Sequence, residues 1–336
     1  MQFQINKAEL NTYIKQLKKN FLVFYPIKAN SNKKLVSYLN GLVDGYETDS
    51  LYHIVMLTKC FHVSPDKILY SYPLKNQRDI TVALKHGITN FVVDNIKECE
   101  KIIRLSKKSV NFIIRLDVGE IINCNSAFVK WGANLQDIVV LQRLIEKSSH
   151  KLRGFSFYLP QEINNANNFR VLFDKLFREL NVTNYEMLDI GGGISDEMLP
   201  NIVGILGNYV LGTSFQIIIE QGKHLLNRAI DLKVEVLDLR YKNGKKLVFI
   251  DSGIYHGLLD VILKNVRYEI FSCKKTRVES CIVCGDSSDV SDVIGEYQLP
   301  ADLKRGDELI IKGCGAYCEE FITPFCKKKK PTIKLT

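Results

Sequence analysis

Eight short apolar runs, each followed by a connection of helical character or length, constrain this chain more than any other feature of its sequence. The runs are FLVFY (21–25), VDGYE (43–47), KILYSY (67–72), NFVVD (90–94), NFIIRLD (111–117), LRGFSFY (152–158), YEMLDI (185–190) and SFQIIIEQG (214–222). Helix-length stretches such as NKKLVSYLNG (32–41), QRDITVALKHG (77–87) and ANNFRVLFDKLFREL (166–180) lie between them. Alternating strands and helices imply a parallel sheet with right-handed crossovers. Eight such units fit a closed (β/α)8 barrel; an open doubly wound sheet also fits the alternation alone.

The rhythm changes after about residue 235. VEVLDLRYKNGKKLVFID holds a hairpin signal at Lys242-Asn243-Gly244-Lys245, because Asn-Gly supplies the positive-φ turn. Short strand-like segments follow through SCIVCGD and ELIIKG. The expected organisation is an N-terminal segment 1–20, with MQFQI a candidate strand of the β domain, a barrel over 21–234, and a mostly β domain over 235–336. A chain of 336 residues accommodates one large and one smaller domain of this kind.

Composition narrows the class. No run of eighteen apolar residues occurs and MQFQINKAELNTYIKQLKKN has no signal-type apolar core, so a cytoplasmic protein without a membrane partner is expected. The nine cysteines then read as free thiols. Cys281 and Cys284 form a C-x-x-C with no matching second pair, so no metal site is expected. Part of the +9 net charge is the tail Lys327–Lys330, read as a solvated terminus. No DNA- or RNA-binding motif accompanies it, so no nucleic-acid partner is expected.

Polar and small residues gather at the C-terminal ends of the eight runs. Lys28 follows the first and Glu47 ends the second, with Asp49 and Ser50 just beyond. Tyr72-Pro73 ends the third and Asp94 the fourth; Arg115 lies in the fifth, and Tyr158 ends the sixth. Gly191-Gly192-Gly193 follows the seventh, and Glu220 ends the eighth. In a barrel this single rim carries the catalytic loops. A lysine just after an apolar strand is partly desolvated, which makes its amine nucleophilic; alone it reads equally as a snorkelling surface lysine. Three glycines aim backbone N–H groups at an anion, or simply make a tight turn. Glu220, at the end of an apolar run, needs a partner: a protonated pyridine nitrogen or an ion pair.

These segments together resemble the fold-type-III decarboxylases that depend on pyridoxal phosphate (PLP), the group of ornithine, diaminopimelate and arginine decarboxylases, with an alanine-racemase-like barrel. YPIKAN (25–30) resembles the family's Schiff-base lysine motif and GYETDS (45–50) its second-strand motif. YSYPLK, VDNIKECEK, the RL of IIRLD, VKWG, RGFSF, LDIGGGI, EQGK, CGDSSD and GAY follow in family order. The resemblance implies that Lys28 holds PLP as a Schiff base, with Glu47 near the cofactor. It implies that Gly191, Gly192 and Gly193 bind the phosphate with Tyr317 helping, and that Gly222 and Lys223 are among the cofactor-binding residues. Glu220 would pair with the pyridine nitrogen, Arg115 would position that carboxylate, and Tyr158 would stack on the ring. It further implies a homodimer with shared sites, in which Asp286 reaches the partner's site and Tyr255 lies near the substrate.

Four departures from the family pattern stand out. Tyr158 occupies the usual histidine position, and Leu159-Pro160-Gln161 replaces a Gly-Ser pair. Lys223 replaces an arginine and so lacks its bidentate fork. Gly285 stands where a proton-donating cysteine precedes Asp286, leaving Cys284 one residue earlier as the candidate donor. Where diamine-forming members hold a distal amine with an acidic residue, this chain offers Lys264 and Arg267. The expected activity is α-decarboxylation of a polar amino acid, ornithine-, lysine- or diaminopimelate-like, or one with an anionic distal group. The alternatives are an amino-acid racemase or epimerase, and a degenerate relative acting as a binding or regulatory protein.

Overall fold

The computed structural model describes residues 1–123, 130–160, 165–327 and 331–336. Two compact units share the chain discontinuously. One comprises Ile14–Ile27 and Val36–His224; the other comprises Met1–Tyr13, Lys28–Leu35 and Leu225–Thr336.

Strand β1 (Gln2–Ile5) belongs to the second of these. The first unit is a closed parallel barrel of β2 (Leu22–Pro26), β3 (Gly45–Thr48), β4 (Ile68–Tyr70), β5 (Asn90–Val93), β6 (Asn111–Arg115), β7 (Lys151–Ser156), β8 (Met187–Asp189) and β9 (Gln216–Ile219). Each apolar run of the sequence supplies one strand. Pairing of Leu22 with Ile218 closes the ring, which excludes the open sheet. Phe24, Leu69, Val92, Ile113, Met187 and Ile218 form a buried cluster drawn from six of the strands, so the barrel has a packed core and no pore.

The helices between strands begin where short polar side chains cap them. Ser50, Asn76, Asn95, Asn134 and Asn165 each accept the backbone N–H three residues on, satisfying a donor that the first turn leaves unpaired. Helix Ile96–Leu105 then buries Cys99 and Ile102, one turn apart, on a single face.

The other unit is an eight-stranded sheet. Its strands are β1, β10 (Ile230–Lys242), β11 (Lys245–Ile250), β12 (Ile270–Ser272), β13 (Val278–Cys284), β14 (Val293–Pro300), β15 (Glu308–Ile311) and β16 (Thr332–Leu335). The order β12-β15-β10-β11-β13-β14 runs along its main path, and β1 pairs with both β10 and β16. The predicted hairpin joins β10 to β11: Lys242 faces Lys245, and Asn243 and Gly244 take φ of 52° and 73°. The segment Lys28–Leu35, expected within the barrel, contacts this sheet unit. Asn30 Nδ2 donates to Gly315 O (3.1 Å), Asn32 Nδ2 to Glu319 Oε1 (2.7 Å), and Lys34 Nζ to Ile333 O (3.3 Å).

Among the described residues no helix is long and apolar enough to cross a membrane, and no disulfide joins the cysteines.

Candidate active site

The strand ends of the barrel bring Glu47, Arg115, Asp189, the glycine triplet and Glu220 to one rim. Glu47, the third residue of β3, is 1% exposed and accepts the Ser71 hydroxyl at Oε1. Ser71 immediately follows β4, so neighbouring strands set that contact. Asp189 ends β8, is also 1% exposed, and accepts the Gly191 N–H at Oδ1 over 2.9 Å. Burial pushes its carboxyl up to about 6, and Glu47 adds to this. A hydrogen bond with the Glu220 side chain, the Gly191 N–H and Arg115 oppose it.

The triplet is glycine for steric reasons. A Cβ on Gly191 would collide with the Phe157 carbonyl, and one on Gly192 with the Glu220 carbonyl. Gly193 has φ +79°, and a Cβ there would lie 3.6 Å from the Tyr158 ring. The Glu220 N–H donates to Gly191 O (2.8 Å), locking the turn to the end of β9. Tyr158 is 44% exposed beside it. Gly222 is buried, whereas Lys223, which opens helix Lys223–Asn227, is exposed. Between them lies buried Gln221, whose Nε2 donates to Ile194 O (2.7 Å). Pro160 is the last described residue before a gap; Gln161, and Val129 of VKWG, lie outside the described residues.

Beside this rim Lys75 is 1% exposed. Its ammonium donates to Tyr72 O (2.5 Å) and Val92 O (2.7 Å), stands 3.6 Å from Glu98 Oε1, and lies 5.1 Å from the Tyr70 ring centre. Burial lowers its pKa to about 8, against the pull of Glu98 and Asp94. The Asp94 carboxylate accepts the Gly132 N–H (3.2 Å).

Lys28 stands two residues beyond the last residue of β2, and the carbonyl of its neighbour Ala29 accepts the Tyr317 N–H over 2.6 Å. Tyr317 has φ +66°, a left-handed backbone that a tyrosine rarely takes. Its ring stacks on Phe321, with centroids 5.8 Å apart, and has Lys264 Nζ 5.1 Å from its centre. Lys264 is itself paired with Asp260 at 3.0 Å. Arg267 donates to Glu296 O (2.5 Å) and covers the Tyr297 ring.

The loop after β13 differs most from its sequence reading. A Cβ on Gly285 would collide with the carboxylate of Asp292, so no cysteine side chain has room there. Asp292 is 3% exposed and accepts the N–H of Ile254 (2.7 Å) and of Ser287 (3.1 Å), binding the turn Ile254–His256 to the loop. Asp286 turns inward within its own chain, 3.8 Å from His256 Nδ1 with 13% of its side chain exposed. Cys284 is buried at the strand end, and burial raises its thiol pKa. Asp289, half-buried in the same loop, accepts the Ser291 N–H at 2.8 Å. Tyr255 packs on Phe325, ring centres 4.6 Å apart.

The sequence pattern alone assigns no role to Asp189, Ser71, Lys75 or Asp292. The signal for Asp189 and Ser71 is their place at strand ends on the functional rim.

The arrangement fits the cofactor that the sequence suggested. The backbone N–H groups of a glycine turn suit a phosphate, and buried carboxyl groups suit a cationic ring nitrogen. Comparison with known proteins agrees. Ornithine decarboxylase of Saccharomyces cerevisiae is 23% identical over 95% of this chain and 76% of its own length. Antizyme inhibitor 2 of Xenopus laevis is 26% identical over 88% of the chain and 71% of its own. The arginine decarboxylase of Paramecium bursaria Chlorella virus, solved with agmatine, superposes with a TM-score of 0.88 at 20% identity, covering 100% of this chain and 96% of that one, which establishes the fold. Residues 4–226 match the family model described as "Pyridoxal-dependent decarboxylase, pyridoxal binding domain". That stretch contains every barrel strand, and the chain belongs to the pyridoxal-dependent decarboxylase family.

Proposed function

We propose that this protein removes the α-carboxyl group of a polar amino acid as CO2, with PLP carried on Lys28. The observation that supports this most is the barrel rim, where buried Glu47 and Asp189, with Glu220 hydrogen-bonded to Asp189 and Arg115 acting on Asp189 electrostatically, stand next to a sterically required glycine turn. The cofactor, when bound, supplies an electron sink for the pair of electrons that CO2 leaves on the α-carbon. Glu220 would face the ring nitrogen and keep it cationic. Gly191, Gly192 and Gly193 would receive the phosphate, and Lys223 would supply charge without the planar fork of arginine. Tyr158, half exposed beside Gly193, is suited to lie against the ring.

Asp289 is the better candidate than Asp286 for a carboxylate offered to a neighbouring subunit, because Asp286 is turned toward His256. Cys284, with its thiol pKa raised by burial, is suited to hold a proton for the α-carbon. Lys264, beside Tyr317, favours a substrate whose distal group is anionic, although Asp260 offsets part of its charge.

Purified protein incubated with PLP is expected to show a visible absorption band and to release labelled CO2 from a carboxyl-labelled amino acid. A band without gas but with α-proton exchange would replace this reading with a racemase. Absence of the band would favour a non-catalytic role, a reading supported by the antizyme-inhibitor relative.

A further inference from the structure

Two strand ends of the barrel carry carboxyl groups that touch. Asp189 closes β8, and Glu220 directly follows β9. Their side chains are hydrogen-bonded to each other, and Glu47 and Arg115 lie close enough to act on Asp189 electrostatically, in opposite senses. The backbone fixes the approach: Gly191 donates to Asp189 Oδ1 (2.9 Å), and Glu220 N–H donates to Gly191 O (2.8 Å).

An ionised carboxylate can only accept hydrogen bonds. Two carboxyl groups bonded to each other must therefore hold a proton between them. The charge balance favours the same state. Arg115 brings a positive charge to Asp189, whose neighbours Glu220 and Glu47 are both acids, and Asp189 is cut off from water at 1% exposure. Leaving all three ionised would bury uncompensated negative charge, which is costly. The upward push on the Asp189 carboxyl by burial is consistent with this.

We propose that Asp189 is a positioning residue that shares one proton with Glu220, fixing both the direction and the charge of the carboxyl group offered to the cofactor ring. The proton sharing is a property of the chain alone. Its use toward a ring nitrogen rests on the function proposed above. Neither group needs the cofactor to be present for the pair to form.

Infrared difference spectra of the full chain without cofactor, taken between about pH 5 and about pH 8, separate a protonated carboxyl from a carboxylate. Wild type should show the carbonyl stretch of one buried acid that Asp189→Asn and Glu220→Gln each remove, because an amide donor replaces the shared proton. Glu47→Gln should keep the band. No band in wild type, or a band that survives either substitution, overturns the proposal. Should the asparagine variant fail to fold by circular dichroism, Glu220→Gln decides alone: an unchanged band there means that Asp189 holds the proton unaided. Adding PLP then separates the two readings. Failure to bind with the infrared band intact would sink the cofactor assignment and leave the shared proton standing.

Discussion

Tyr317 donates its backbone N–H to the carbonyl of Ala29 over 2.6 Å, tying the residue after Lys28 to a tyrosine held at φ +66°. This bond is made by the main chain, so it survives changes to the ring. Tyr317→Phe should therefore leave thermal stability within about 0.5 kcal/mol of wild type, as for substitutions that bury no new polar group. If the hydroxyl helps hold the phosphate, its loss should weaken PLP binding by about tenfold, the size of one hydrogen bond. Fluorescence titration of the apoprotein checks this, and unchanged affinity would remove Tyr317 from the cofactor contacts.

Lys28→Ala should abolish both the visible absorption band and CO2 release. Circular dichroism should remain that of the wild type, since the hydrogen bonds made by Ala29, Asn30 and Asn32 hold the segment in place and the substitution leaves those residues unchanged. A coloured, active alanine variant would contradict the assignment.

Gly192→Ala and Gly193→Ala should part company. The first drives a methyl group into the Glu220 carbonyl and should displace that strand end, costing both folding stability and cofactor affinity. The second meets only the Tyr158 ring, 3.6 Å away, but must hold φ +79°, at about 1–2 kcal/mol. Thermal melts of the apoproteins should rank Gly192→Ala below Gly193→Ala.

Lys75 predicts a pH dependence of stability. Its folded pKa of about 8 lies below the ordinary lysine value of 10.5, so between these limits the unfolded chain binds more protons. Stability should rise with pH across that window, and the cost of protonating the buried amine should be fully felt below about 8. The shift corresponds to about 3 kcal/mol, softened by the carbonyls that receive its protons. Urea denaturation at several pH values should show this slope, and Lys75→Met should flatten it. A flat wild-type profile would mean that Tyr72 O and Val92 O fully offset the burial of the charge.

Lys264→Ala tests the substrate reading. Removing this cation should raise kcat/KM for diamino acids relative to acidic analogues by about tenfold, a contact of ~1.4 kcal/mol. No change in that ratio would confine Lys264 to its pairing with Asp260.

Strand periodicity carried the barrel, because a strand buried on both faces writes itself as a short apolar run, and every such run became a strand. The hairpin at Asn243-Gly244 was legible for a different reason: its turn depends on two adjacent residues only. Pairings between distant segments were hidden. The proximity of Asp292 to Gly285 is decided by a bulged β13–β14 pairing, and sequence order alone made that glycine look like a lost cysteine. The LDIGGG pattern gives Asp189 no role by itself, since nothing local shows that Glu220, thirty-one positions later, meets it. Continuity of sequence places the segment after Lys28 with the barrel, whereas its polar side chains find their partners at residues 315–333.

The place of β1 has a consequence for biosynthesis. Gln2–Ile5 pairs with Ile230–Lys233 on one side and Thr332–Leu335 on the other. During translation Gln2–Ile5 emerges long before either partner exists, and its second edge stays open until Thr332–Leu335 has been made. The barrel strands, each a short step from the next, can form while the ribosome is still working. The sheet must wait, which makes its completion the slow, non-local step in maturation.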